Sequence, residues 1–208
     1  MPEAKKRAPR RKKTDEFERA RVEIENESVN DVSAREVSIQ QSTVRDIKKA
    51  DHVEIMMGSV GTIDAKSVSV SQGGAAQVNA DTVDVKQGGI ANAQAENIQV
   101  TQGGIGLAQA ENVELQAGGA VAIVGTTVEV QAGGSQYMLA RESIHVDQGG
   151  AVVMVAPRIE MENGVAGFVI AREVHGNVRA LFDQRGALVF GIAAGIVMGL
   201  LARSKRRK

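Results

Sequence analysis

VDVKQGGIANAQAENIQVTQGGIGLAQAENVELQAGG, residues 83–119, states one phrase three times. In each copy two aliphatic residues flank a polar one (Val83/Val85, Ile98/Val100, Val113/Leu115), and a pair of glycines follows. Aligned on glycine, units open at Gly73, Gly88, Gly103, Gly118, Gly133, Gly149 and Gly164, fifteen residues apart except for sixteen between Gly133 and Gly149. Upstream, ESVNDVSAREVSIQQ, STVRDIKKADHVEIMM and GSVGTIDAKSVSVSQ end on the same alternating pair, giving about ten units and a partial one near FERARVEIE. A unit this short cannot bury its own apolar edge, but a stack of them forms one continuous core.

The local period decides between strand and helix. Val128/Val130, Ile144/Val146 and Ile159/Met161 continue the alternation of the first three pairs, which is the period of two that marks strands. A second alternating run, such as Ala91, Ala93 and Ala95, fills the other half of the unit. The glycines stand where the chain turns a corner, a place for positive φ or close backbone approach. The expected fold is all-β: a single-stranded β-solenoid (β-helix) of about ten 15-residue turns, each of two or three short strands. At a strand spacing of about 4.8 Å, ten turns make a rod of about 48 Å. The inward alanines predict a thin cross-section, in keeping with an aromatic content of only 2%. Gln72, Gln87 and Gln102 recur one turn apart, so their amides are placed to bond up the stack as a ladder.

Counted from the first glycine, the fifth and seventh positions change character along the chain. They are polar early (Thr62/Asp64, Gln77/Asn79, Asn92/Gln94). Later they become Leu107/Gln109, Ala122/Val124, Tyr137/Leu139, Val153/Val155 and Phe168/Ile170. The fourth, sixth and eighth positions (Val121, Ile123, Gly125; Val152, Met154, Ala156) are small or apolar and are expected to point inward, making the later strands apolar on both faces. Leu107, Ala122, Val124, Tyr137, Leu139, Val153, Val155, Phe168 and Ile170 form the candidate interaction surface. Its occupant is the C-terminal segment of the same chain, a lipid surface or, the preferred reading, a second copy.

The formal charge of zero hides an uneven distribution. Lys5, Lys6, Arg7, Arg10, Arg11, Lys12 and Lys13 make the first stretch basic, and Arg203, Lys205, Arg206, Arg207 and Lys208 make the last one so. Setting aside those twelve cations and one acid leaves 13 basic and 24 acidic residues between them, a body near −11. Basic tails of this kind contact anionic partners, here anionic membrane lipids or, for the N-terminal arm, nucleic acid. Residues 186–202 carry no charge; as a helix they would be about 25 Å long, near the minimum for a bilayer core. Gly191, Gly195 and Gly199 are four apart, the small-xxx-small spacing that lets membrane helices pack closely. The expected organisation is a basic arm over 1–14, the solenoid over 15–177, a C-terminal hydrophobic membrane helix over 178–202 and a basic tail over 203–208. The basic start runs into TDEFERARVEIENE rather than an apolar stretch, so no secretory signal is expected and the solenoid is placed facing the cytoplasm.

Little in the chain suggests chemistry. His52, His145 and His175 fit no metal-site spacing, and are expected to be structural. Asp81, Glu96 and Glu111 share one position in consecutive turns; such a column is splayed into water or bridged by cations, and it lacks the glycine-aspartate signature of calcium-binding repeats. The double glycines lack the Lys-Ser/Thr of a phosphate loop. There is no Cys. No enzyme, metal or cofactor is expected.

The phrases SAREVSIQQ, DAKSVSVSQGG and NADTVDVKQGG resemble turns of the bactofilins, over roughly residues 27–172. The resemblance implies a polymer-forming bacterial cytoskeletal protein with a β-helical core between disordered tails, in some cases attached to membranes. The expected function is a non-enzymatic, membrane-attached, self-associating scaffold. Two further classes stand beside it: a polyanion tether that uses the basic arm, and an exported adhesin rod.

Overall fold

The computed structural model describes residues 21–180, with side chains described to residue 176. Over this span the chain is an all-β parallel solenoid of about ten turns. Its strands are β1 (Arg21–Glu25), β2 (Ser28–Val32), β3 (Glu36–Val70), β4 (Gly73–Asn79), β5 (Thr82–Gln94), β6 (Asn97–Gln109), β7 (Asn112–Val155), β8 (Arg158–Ile170) and β9 (Glu173–Ala180). The long ones wrap the coil more than once. Every pairing is parallel and joins one turn to the next: Val83 to Ile98, Ile98 to Val113, Ile144 to Ile159. Among the described residues there is no helix, and the expected hydrophobic segment 186–202 lies outside them.

Five positions of the unit face inward: the third, sixth, eighth, eleventh and thirteenth. The last two form unbroken columns, Val83, Ile98, Val113 and Val128 beside Val85, Val100, Leu115 and Val130, all buried. Burying each such side chain is worth about 1.5–3 kcal/mol, so a turn gains its stability from the turns above and below it. The third and sixth positions share one compartment and trade volume. Ile90 and Ile105 accompany Ala93 and Ala108, whereas Ala120, Ser135 and Ala151 accompany Ile123, Met138 and Met154. In these five turns the larger residue at one position accompanies a small one at the other, which keeps the interior filled without overpacking; the earlier turns differ, with Val44 and Ile47, and Val60 and Ile63, both buried.

The fourth position departs from the sequence expectation. Val121 and Val152 are 49% and 54% exposed, and the third position is inward instead. The ladder shows the reason: Ile90 pairs with Ile105 and Asn92 with Leu107, while Ala91 and Gly106 between them are skipped. One residue bulges out after the glycine corner, and the alternation restarts beyond it.

The corner itself depends on glycine. Gly88 and Gly103 have φ of 147° and 154°, where a Cβ is strongly disfavoured. Before the paired glycines begin, Asn26 and Gln41, at φ 53° and 49°, supply the left-handed residue, and the buried Ser42 hydroxyl accepts from the Glu27 N–H at 3.1 Å and donates to the Gln40 carbonyl at 2.7 Å.

Two turns contain sixteen residues. In the turn opening at Gly133 the buried pair moves to Ile144 and Val146, so the extra residue lies at the corner around Arg141 and Glu142. The other begins at Ser42 and takes up its extra residue at Lys49, whose φ is 59°. Both insertions sit in corners, and the core columns run past them in register.

Candidate interaction face

The strand between the glycine corner and the next corner presents its fifth and seventh positions outward. On the N-terminal half these are Asp64, Gln77, Asn79, Asn92 and Gln94, all exposed and polar. On the C-terminal half the structure places Leu107, Val124, Tyr137, Leu139, Phe168 and Ile170 on the surface, with Tyr137 47% and Ile170 64% exposed. Ala122, Val153 and Val155 are half-buried among them. The bulged Val121 and Val152 add to the same face, a contribution that strict alternation had turned inward. Parallel pairing of Asn92 with Leu107, Leu107 with Ala122 and Val153 with Phe168 stacks the fifth position into one column. Gln109, Val124 and then Val155 and Ile170 stack beside it. The result is an apolar strip about five turns, or about 24 Å, tall.

Outside the strip, several exposed polar residues bond to one another along the stack. Gln72 Nε2 donates to Gln87 Oε1 at 3.1 Å, and Gln87 Nε2 to Gln102 Oε1 at 3.2 Å. This is the expected amide ladder, and it stops where Ala117 pairs with Gln102. A second amide contact, absent from the sequence expectation, joins Asn112 Nδ2 to Asn97 Oδ1 at 2.9 Å, again one repeat apart. A shallow groove of about 310 Å³ runs over this region, lined among others by Asp84, Asn97, Gln99, Asn112, Glu114 and Glu129. Glu114 Oε1 accepts from Gln116 Nε2 at 3.1 Å and Gln131 Nε2 at 3.4 Å.

The acidic column Asp81, Glu96, Glu111 is stacked by backbone bonds from Glu96 N–H to the Asp81 carbonyl and from Glu111 N–H to the Glu96 carbonyl, each 3.0 Å. Below it stands Lys66, which bonds Asp51 at 2.7 Å. That hydrogen bond, then the charge of Lys66, holds the Asp51 carboxyl below its ordinary range, and the same contact raises the Lys66 ammonium. His145 lies between two carboxylates, Nε2 at 2.8 Å from Asp147 and Nδ1 at 3.5 Å from Glu160, and His175 Nε2 is 3.9 Å from Glu173. His52 is half-buried within β3. Among the described residues no group of three or more His, Asp or Glu is placed to hold a metal ion. No buried side-chain polar atom among them lacks a partner.

Gly191, Gly195, Gly199 and the twelve basic residues of the two tails lie outside the described residues. Among the described residues no helix is long and apolar enough to cross a membrane. The fold defines a parallel β-solenoid with one apolar lateral strip. No protein-family model, curated protein or solved structure matches the chain.

Proposed function

We propose that the chain is a non-catalytic structural scaffold: a stiff solenoid that associates with copies of itself and attaches to a membrane. The observation that carries the reading is the apolar strip on the C-terminal half of an otherwise polar rod. A contiguous exposed strip containing Tyr, Phe and several Leu, Ile and Val is the composition of a contact surface rather than of a solvated face. The resemblance of residues 27–172 to bactofilin turns supports a polymer-forming, cytoskeleton-like role. Attachment rests on the charge-free segment 186–202, with the basic tails adding about 1 kcal/mol per Lys or Arg near an anionic leaflet.

The test is the mass of the assembly. Replacing Tyr137, Leu139 and Val153 together with Ser is expected to reduce the particle to a single chain by light scattering, with the β-sheet circular dichroism kept. An assembly of unchanged mass overturns self-association through this face. Attachment is tested by flotation with anionic vesicles, where a chain that stays in the aqueous fraction removes the membrane part.

The seven Lys/Arg among the first thirteen residues support a second reading, a polyanion tether. It requires DNA binding that weakens steeply with salt and disappears on deletion of those residues while assembly persists.

A further inference from the structure

The columns of the apolar face, followed through the five turns opening at Gly103, Gly118, Gly133, Gly149 and Gly164, have an internal symmetry. The bulged fourth position reads Gly106, Val121, Gln136, Val152, Gly167, the same in both directions about Gln136. Beside it, the fifth position places the large Leu107 and Phe168 at the two ends and Tyr137 in the middle. At the corner bordering the face, the ninth position reads Glu111, Thr126, Arg141, Pro157, Arg172, acid at one end and base at the other. Glu111, Arg141 and Arg172 are exposed, and among the described residues none of them forms an ion pair.

A two-fold interface is self-complementary: if residue i meets j, then j meets i. Face-to-face packing of two rods admits two simple arrangements. With the axis along the rods they run parallel, and the charged corner column of each lies against the fourth-position edge of the other. Turns of equal height then face each other: Val121 lies against Thr126 and Val152 against Pro157, while Glu111, Arg141 and Arg172 lie against Gly106, Gln136 and Gly167, so no charge gains a counter-ion and each is desolvated at a cost. With the axis across the rods they run antiparallel, and each edge meets its own kind in reverse order. Glu111 then meets the partner's Arg172, Val121 the partner's Val152, Leu107 the partner's Phe168, and Gln136 its own copy; Arg141 also faces its own copy, a like-charge contact relieved by its exposure to water.

Resting on the self-association proposed above, we infer that the partner of this face is a second copy of the chain laid antiparallel, with the two-fold axis at the turn of Gln136 and Tyr137. The Glu111–Arg172 contact, made twice against a single Arg141–Arg141 contact, and the palindromic column select this arrangement; the parallel one brings no opposite charges together. The footprint, about five turns high and about 17 Å from fourth to ninth position, is smaller than the roughly 800 Å² per partner of a standard interface. Pairing is therefore reversible and concentration-dependent. Two ten-turn rods sharing five turns make a particle of about fifteen turns, or about 72 Å, with the Arg21 end of each chain at an extremity and its Ala180 end near the middle.

The chain contains no cysteine, so single cysteines report contacts between copies. In mild detergent, Gln136→Cys is expected to form a disulfide-linked dimer on mild oxidation. Leu107→Cys and Phe168→Cys are each expected to remain monomeric alone and to cross-link when mixed. Independently, Glu111→Arg or Arg172→Glu is expected to weaken association about five-fold at low salt, and the double reversal to restore it. Self-linking of Leu107→Cys or of Phe168→Cys places like turns opposite each other and overturns the inference. Assembly by light scattering without cross-links at any of the three positions also overturns it, while leaving self-association intact through another surface. A chain that is monomeric throughout overturns both.

Discussion

Gly88 stands directly over the carbonyl oxygen of Gly73 one turn below, so closely that a Cβ on Gly88 would overlap that oxygen. The second glycine of the pair is different: a Cβ on Gly89 would meet the Gly104 carbonyl at 3.4 Å, close to ordinary contact. Gly88→Ala is expected to destabilise the rod by about 1–3 kcal/mol or more, from the positive φ together with the overlap. Gly89→Ala is expected to cost less than about 1 kcal/mol. Denaturant unfolding followed by circular dichroism separates the two, and equal losses would remove the close-approach account of the corner.

The shared compartment of the third and sixth positions predicts a compensating pair. Ala93→Ile, beside Ile90, is expected to cost about 1–3 kcal/mol through overpacking. Ile90→Ala with Ala93→Ile recreates the Ala120/Ile123 arrangement and is expected to recover most of that loss. A double variant no more stable than the worse single one would show that the two positions do not trade volume.

Core and face are separable by one residue type. Leu115 is buried, and Leu115→Ala is expected to lose about 2–5 kcal/mol. Leu107 is 37% exposed on the apolar strip; Leu107→Ala is expected to change the unfolding of dilute protein by less than about 0.5 kcal/mol while weakening assembly.

Asp51 and Lys66 give a pH signature. Both are exposed. The Asp51 carboxyl is lowered from 3.8 by the contact, so its contribution is present above that value and lost as the pH falls through the lowered one. The Lys66 ammonium is raised from 10.5; its contribution is full below that value and lost as the pH rises through the raised one. The difference in denaturation midpoint between the parent and Lys66→Met is therefore expected to be flat from about pH 5 to 9 and to shrink on either side. A difference that grows in acid would contradict the pair.

The two sixteen-residue turns predict where the chain tolerates deletion. Removing Glu142, in a corner, restores the common fifteen and is expected to leave a cooperative transition. Removing Glu129, inside a strand, turns Val130 outward and breaks the ladder beyond it. Comparison of the two unfolding curves is the measurement.

Much of this architecture is legible in the sequence because one period repeats so often. Val83, Ile98 and Val113 announce their own stacking, and Gln72, Gln87 and Gln102 announce theirs. The bulge at the fourth position is not legible in the same way. Val121 and Ile123 look alike as residues, and only the skipped pairing of Ala91 and Gly106 shows that one points out and the other in. The insertion at Lys49 is equally hidden, because the early turns lack the paired glycines that expose the Gly133 to Gly149 spacing. Alternation marks the outward apolar columns at the fifth and seventh positions, and the same alternation turns Val121 and Val152 inward, whereas the structure exposes both.

The parallel offset between neighbouring turns has a consequence for ancestry. Because each residue meets only those one turn away, duplicating or excising a whole unit in the polar half changes the contacts of the two flanking turns and of no others. Each unit added or removed there would change the reach from the apolar strip to the Arg21 end by about 4.8 Å.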